Sequence, residues 1–273
     1  MDNFKTMIIH LSTYKKSNTI QINRCSTYPT KWIDYLNNSK KLLRLYRYTK
    51  TRIYKTREKL KKQGCVIPFF QNKYEQKYNE NLKEFTNIIK NTNFSVICYH
   101  ATRLTKEEIY SIKKNGLCPF NKESLSKKIN NLYYQKYINA QELHFLKAKN
   151  LLNYNLDREN QIHFLYGFID LSLNKNDECD LFNFFNNYGG EIIYNVTEET
   201  KLGYKLKKIS YPCIVIFEIK STMLDLEDLG FQIFNKYNTR NLSKLYTSHF
   251  ICNKTIDVLD VIQINENSKM FYL

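Results

Sequence analysis

Residues 95–117, SVICYHATRLTKEEIYSIKKNGL, read as a strand, a polar loop and a short amphipathic helix. Val96, Ile97, Cys98 and Tyr99 form a short apolar run of strand-forming types that ends at His100. Thr105 stands three residues before Glu108, the spacing of a capping box that opens a helix. Ile109 and Ile112 give that helix an apolar side, and Gly116 with Pro119 closes it. A histidine carried from a strand end into a loop, beneath a helix N-terminus, is placed to meet a ligand.

Further along, residues 177–187 read as a helix with Leu181, Phe184 and Phe185 inward, followed by Tyr188-Gly189-Gly190-Glu191. Two glycines allow a tight turn and a close approach of backbone to a ligand. Tyr188 and Glu191 beside them are site candidates; the alternative is that the glycine pair simply caps the helix.

The residue order at 99–117 resembles the first motif of the ADP-ribosyltransferases of the diphtheria-toxin and poly-ADP-ribose-polymerase type. Their pattern is aromatic-His-Gly-Thr/Ser, a helix with paired isoleucines, then Lys-x-Gly-Ile/Leu. Here it stands as Tyr99-His100-Ala101-Thr102, Ile109, Ile112 and Lys114-Asn115-Gly116-Leu117, with alanine for the usual glycine. The resemblance implies NAD as substrate and a split β-sheet fold. It implies that His100 bonds the adenine-side ribose hydroxyl and that Tyr99, Ala101 and Thr102 complete the NAD site. Ala101 would meet the nicotinamide amide through its backbone, and Arg103 would bind the pyrophosphate. Residues 161–173, QIHFLYGFIDLSL, match the second strand motif, with Tyr166 or Tyr188 to stack on the nicotinamide; Ile169 stands where the family has an aromatic residue. The family's glutamate at the start of the penultimate strand is here His249. Glu191 would then supply negative charge near the developing ribose cation, or act as a general base. His100, Glu191 and His249 are accordingly the catalytic candidates.

The charge is unevenly placed. Residues 1–90 hold 20 Lys/Arg against 6 Asp/Glu, a net of +14, whereas residues 91–273 hold 22 against 20, a net of +2. A uniform coding bias would not concentrate the excess in one third of the chain. A localised basic surface is the footprint expected for a polyanionic partner.

Within that third, residues 31–63 read as a helix whose apolar stripe is Leu42, Tyr46, Thr49, Ile53, Thr56 and Leu60. Basic residues occupy much of the remaining surface. Arg44, Arg47, Arg52 and Lys55, with Tyr48 and Tyr54 interleaved, are the candidate nucleic-acid contacts, stacking on bases as aromatics in single-strand binders do. A solvated helix face is the bland alternative. A second helix over residues 72–90 completes a hairpin, and a boundary is expected at the polar run 91–93.

Residues 122–152 read as helical with a break near Asn139, where Tyr133, Tyr134 and Tyr137 are expected to pack and His144 to be structural or exposed. Residues 212–219 read as a central strand covered on both faces, and residues 248–253 and 255–264 as the last two strands.

The seven cysteines are scattered, without C-x-x-C spacing, and read as reduced thiols; no zinc or other metal site is expected. The first residues lack an apolar run with a cleavage site, and no stretch approaches a membrane span, so a cytoplasmic protein without a membrane partner is expected.

The expected architecture is therefore α+β: a basic, mainly helical module over residues 1–91 and an ADP-ribosyltransferase-like domain over 92–273. By resemblance it is a toxin of the toxin–antitoxin or anti-phage kind, with NAD as substrate, nucleic acid (RNA foremost) as acceptor, and an antitoxin as a further partner. Three other readings stand beside it. One is a protein-modifying transferase. Another is an RNA 2′-phosphotransferase, for which His163 and His249 speak. The third is a catalytically inactive RNA-binding module of the same fold.

Overall fold

The computed structural model describes residues 19–21, 25–119, 121–149, 185–237 and 254–264. Its described part is α+β, with one four-stranded mixed sheet and eight helices. In chain order these are β1 (Thr19–Ile20), α1 (Thr30–Lys62), α2 (Glu75–Lys90), β2 (Ser95–Leu104), α3 (Lys106–Asn115), α4 (Lys122–Tyr134) and α5 (Ala140–Lys149), then α6 (Gly190–Thr197), α7 (Lys201–Ile209), β3 (Tyr211–Lys220), α8 (Leu226–Lys236) and β4 (Val258–Gln263).

The sheet runs β1-β2-β3-β4, with β1 parallel to β2 and the other two pairings antiparallel. The β2–β3 ladder is its spine, continuous from Ser95 opposite Lys220 to Leu104 opposite Tyr211. Side chains alternate across a strand, and here both faces are covered. Val96, Cys98 and Leu104 on β2, with Cys213, Val215, Phe217 and Ile219 on β3, join a cluster with Trp32, Leu36 and Leu43 of α1. Phe85 and Ile89 of α2 and Ile233 and Phe234 of α8 complete it. The opposite set, including Ile97, Tyr99, Ile214 and Ile216, is also buried. A second cluster gathers Leu125, Ile129 and Leu132 of α4, Leu146 of α5, Ile193 of α6 and Leu206 of α7 around Tyr188.

Strand β2 is longer than its apolar run. Residues 101–104, expected as a loop, continue the ladder opposite Ile214, Cys213, Pro212 and Tyr211, so His100 sits mid-strand. Cross-strand pairing overrides local polarity here because the polar side chains find partners inside. The helix that follows is opened by a capping box in which Thr105 Oγ1 accepts the Glu108 N–H at 3.3 Å and Glu108 Oε2 accepts the Thr105 N–H at 2.8 Å. It ends at Gly116, whose φ of 81° is a conformation that favours glycine. Leu117 then exchanges backbone hydrogen bonds with Ile256.

The hairpin of α1 and α2 forms close to its expected bounds, but its packing face differs. Trp32, Leu36, Leu43 and Tyr46 make the core contact, and from there to Lys62 no residue of α1 is buried. The expected stripe members Thr49, Ile53, Thr56 and Leu60 are only half-buried. The chain after Gly64 returns along the helix, tied by the Cys65 N–H to Leu60 O at 3.0 Å and by Asn72 Nδ2 to Tyr46 O at 3.0 Å. The first hydrophobic cluster spans both sides of the expected boundary at 91/92: Trp32 meets Phe94 edge-on at 5.0 Å and donates to Thr92 Oγ1 at 3.1 Å.

Helices α4 and α5 flank the expected break near Asn139. Tyr134 is exposed where packing was expected, Tyr133 is partly so, and His144 is exposed. Helices α7 and α8 carry no expectation from the sequence reading. The strands expected over residues 161–173 and 248–253 lie outside the described residues. Among the described residues no helix is long and apolar enough to cross a membrane.

Candidate functional site

The site is built where β2 runs into α3. From Val96 to Leu104 every residue is buried except His100, which is half-buried. Alternation sends His100 and Thr102 to the face that carries Val96 and Cys98. Tyr99, Ala101 and Arg103 go to the other. The four-residue motif is thus divided between two faces of one strand, and it does not form a single cluster.

Arg103 is fully buried, and its guanidinium is committed to the protein. Nε donates to Ser210 Oγ at 3.1 Å, Nη1 to Phe185 O at 2.6 Å, and Nη2 to Lys207 O at 2.8 Å and Ser210 O at 2.7 Å. Its planar fork suits several carbonyls at once. A pyrophosphate could claim it only by breaking these bonds, and its observed task is to fasten the end of α7 and the chain at Phe185 to β2.

Tyr188 follows three residues after Phe185. It is buried, its hydroxyl donates to Glu108 Oε1 at 2.8 Å, and the Lys128 ammonium lies over its ring at 4.5 Å from the centroid. Lys128 also pairs with Glu108 Oε1. Burial first, and then the Glu108 carboxylate, hold the Tyr188 phenol well above its ordinary range, so it is a neutral donor. With Lys128 over one face of the ring, a nicotinamide could stack there only if that lysine moved. Beside this group Tyr137 donates to both Glu107 oxygens at 3.2 Å.

Glu108 therefore has two roles: it caps α3, and it ties α3 to α4 through Lys128 and to the Tyr188-Gly189-Gly190 turn. Gly189 and Gly190 have φ of 85° and 64°, and a Cβ on Gly189 would come within 2.6 Å of the Ile193 side chain. Helix α6 starts at Gly190, with Glu191 as its second residue. Two motifs separated in sequence are thus fastened together, by the Arg103 bond to Phe185 O and the Tyr188 bond to Glu108. Tyr166 and His249 lie outside the described residues. Glu108 was legible only as a cap, and nothing in the linear sequence singles out Lys128. Among the described residues no three His, Cys, Asp or Glu side chains converge as a metal site.

The second candidate surface is α1. Arg44, Arg52 and Lys55 are exposed, as are Tyr48 (69%) and Tyr54 (64%). Arg47 departs from this group. Its Nη2 is buried without a hydrogen-bond partner, and desolvation lowers its pKa, opposed by the neighbouring Tyr78 hydroxyl. It is half-buried, midway along the helix, where Arg44, Arg52 and Lys55 are exposed.

No protein-family model, curated protein or solved structure matches this chain.

Proposed function

We propose that this protein is an NAD-dependent ADP-ribosyltransferase that acts on nucleic acid, with RNA as the acceptor. The observation that carries the reading is His100: it alone keeps solvent access in a strand otherwise buried from Val96 to Leu104.

In the reaction the bond between ribose C1′ and the nicotinamide nitrogen breaks, and nicotinamide leaves with the bonding pair. C1′ then bonds to an acceptor oxygen or nitrogen, which gives up its proton. Little covalent help is needed from protein; orientation of the ribose and stabilisation of its cation dominate. His100 holds a ribose hydroxyl, and Glu191 lies close to the developing charge or takes the acceptor proton. The acceptor is gathered by the basic surface of α1.

One observation favours a second reading, a binding module of the same fold without turnover. Arg103 and Tyr188 are both spent on internal contacts. The two readings part on label transfer. The protein is incubated with NAD labelled on its adenylate and with total cell extract, and the products are digested separately with ribonuclease, deoxyribonuclease and protease. The transferase reading expects label that ribonuclease releases. Label released only by protease makes the enzyme a protein-modifying one, and no label at all favours the binding module.

A further inference from the structure

Helix α1 is a single helix of 33 residues, and its last sixteen project beyond the core for about 24 Å at 1.5 Å per residue. At about 100° per residue, Lys41, Arg44, Tyr48, Arg52, Lys55, Lys59 and Lys62 fall within an arc of about 80°. All seven are exposed. The arc lies on the side of the helix away from Trp32, Leu36, Leu43 and Tyr46, which face the core. The returning chain at residues 65–72 lies over another side, where Arg57 stands over the Phe70 ring at 6.0 Å. Six cations therefore form one open row about 31 Å long, on a convex ridge.

Tyr54 is exposed too, but it lies about 120° round the helix from the middle of the row. Tyr48 is the row's only aromatic residue, so the interleaving seen in the linear sequence does not make one stacking surface. That decides between two forms of nucleic acid. A single strand bound along six cations must be ordered, and binders of single strands offset this by stacking bases on aromatic rings, about 1–3 kcal/mol per base. This row offers one ring. A double helix is already ordered and presents phosphates at high density, and the major groove of B-form DNA or the wide, shallow minor groove of A-form RNA leaves them open to a convex ridge.

We propose that the outer face of α1 grips the phosphate backbone of a double-helical nucleic acid, independently of base sequence. This rests on the nucleic-acid half of the preceding reading and not on NAD chemistry.

The test uses the full chain and end-labelled 20-mers of one sequence: duplex RNA, duplex DNA and single-stranded RNA, titrated by anisotropy over a range of salt. At least one duplex should bind about tenfold more tightly than the single strand, and the tighter duplex identifies the source. Substituting Arg52→Gln with Lys55→Gln should weaken duplex binding at least tenfold and reduce the salt slope by about 1.8, near 0.9 per lost phosphate contact. The same charge change on the opposite side, Lys50→Gln with Lys61→Gln, should cost less than threefold. Single-stranded RNA binding as tightly as either duplex would overturn the proposal, as would equal losses from the two charge pairs or no binding at all. Nicotinamide release, measured on the same preparation, reports on the enzyme reading separately, so either can fail alone.

Discussion

Glu108 shows how much one carboxylate can hold. One oxygen caps α3, and the other takes both the Lys128 ion pair and the Tyr188 hydroxyl. Glu108→Gln keeps the shape but leaves the Lys128 ammonium, only 13% exposed, without its counter-charge. The loss should be about 1.5–3 kcal/mol, the range for hydrogen bonds to charged groups, read as a lowered denaturation midpoint. Such a network was out of reach of the sequence reading, because its members are 20 and 80 positions apart and only the capping spacing is local. His100 was legible, since a histidine among strand formers stands out, though its mid-strand position was not. His100→Ala should cost on the order of 2–4 kcal/mol of transition-state stabilisation, seen as lost nicotinamide release from a protein with unchanged circular dichroism. Unchanged release would remove His100 from the proposed NAD site.

At the scale of elements, legibility followed local signals. Periodicity located α1 and α2 to within a few residues, and the capping box located α3. Helices α7 and α8 each carry an internal glycine, which lowers helix propensity. Packing explains both: a Cβ on Gly203 would lie 2.1 Å from Thr197 O, and one on Gly230 would lie 2.6 Å from Thr86 Oγ1. Strand β2 outran its apolar run because pairing with β3 is a tertiary fact. Gly116 tests the junction of α3 with the sheet: its φ is positive, and an added Cβ would lie 2.6 Å from Ile256 O. Gly116→Ala should therefore destabilise by more than about 1 kcal/mol, visible as a lower melting temperature. Between α5 and α7, burial raises the Glu142 carboxyl, but the Lys205 bond, the Asn139 N–H and the Lys205 charge outweigh it and hold it below its ordinary value. A depressed carboxyl contributes stability above its unfolded pKa and loses it as pH falls through the folded one. Glu142→Gln should thus cost about 0.5 kcal/mol at neutral pH, the pair being partly exposed. The difference from the parent should disappear as pH drops below about 4.

Across the whole molecule, the uneven charge was readable because it is a property of composition, while the packing cluster that spans the expected boundary at 91/92 was not. Trp32, Phe85 and Phe94 meet in one cluster that continues into β2, β3 and α8, so the hairpin is part of the sheet's core. Trp32→Ala should cost about 3–5 kcal/mol and shift one common transition, followed by both tryptophan-independent circular dichroism and nucleic-acid binding. Two separate transitions would restore the hairpin as an independent module. The proposed NAD chemistry stands or falls on free nicotinamide, measured against time after the folded protein is incubated with NAD and RNA. A transferase gives release that is catalytic, stimulated by RNA and abolished by His100→Ala; no release above the protein-free control, from protein that binds nucleic acid and melts normally, rules that function out.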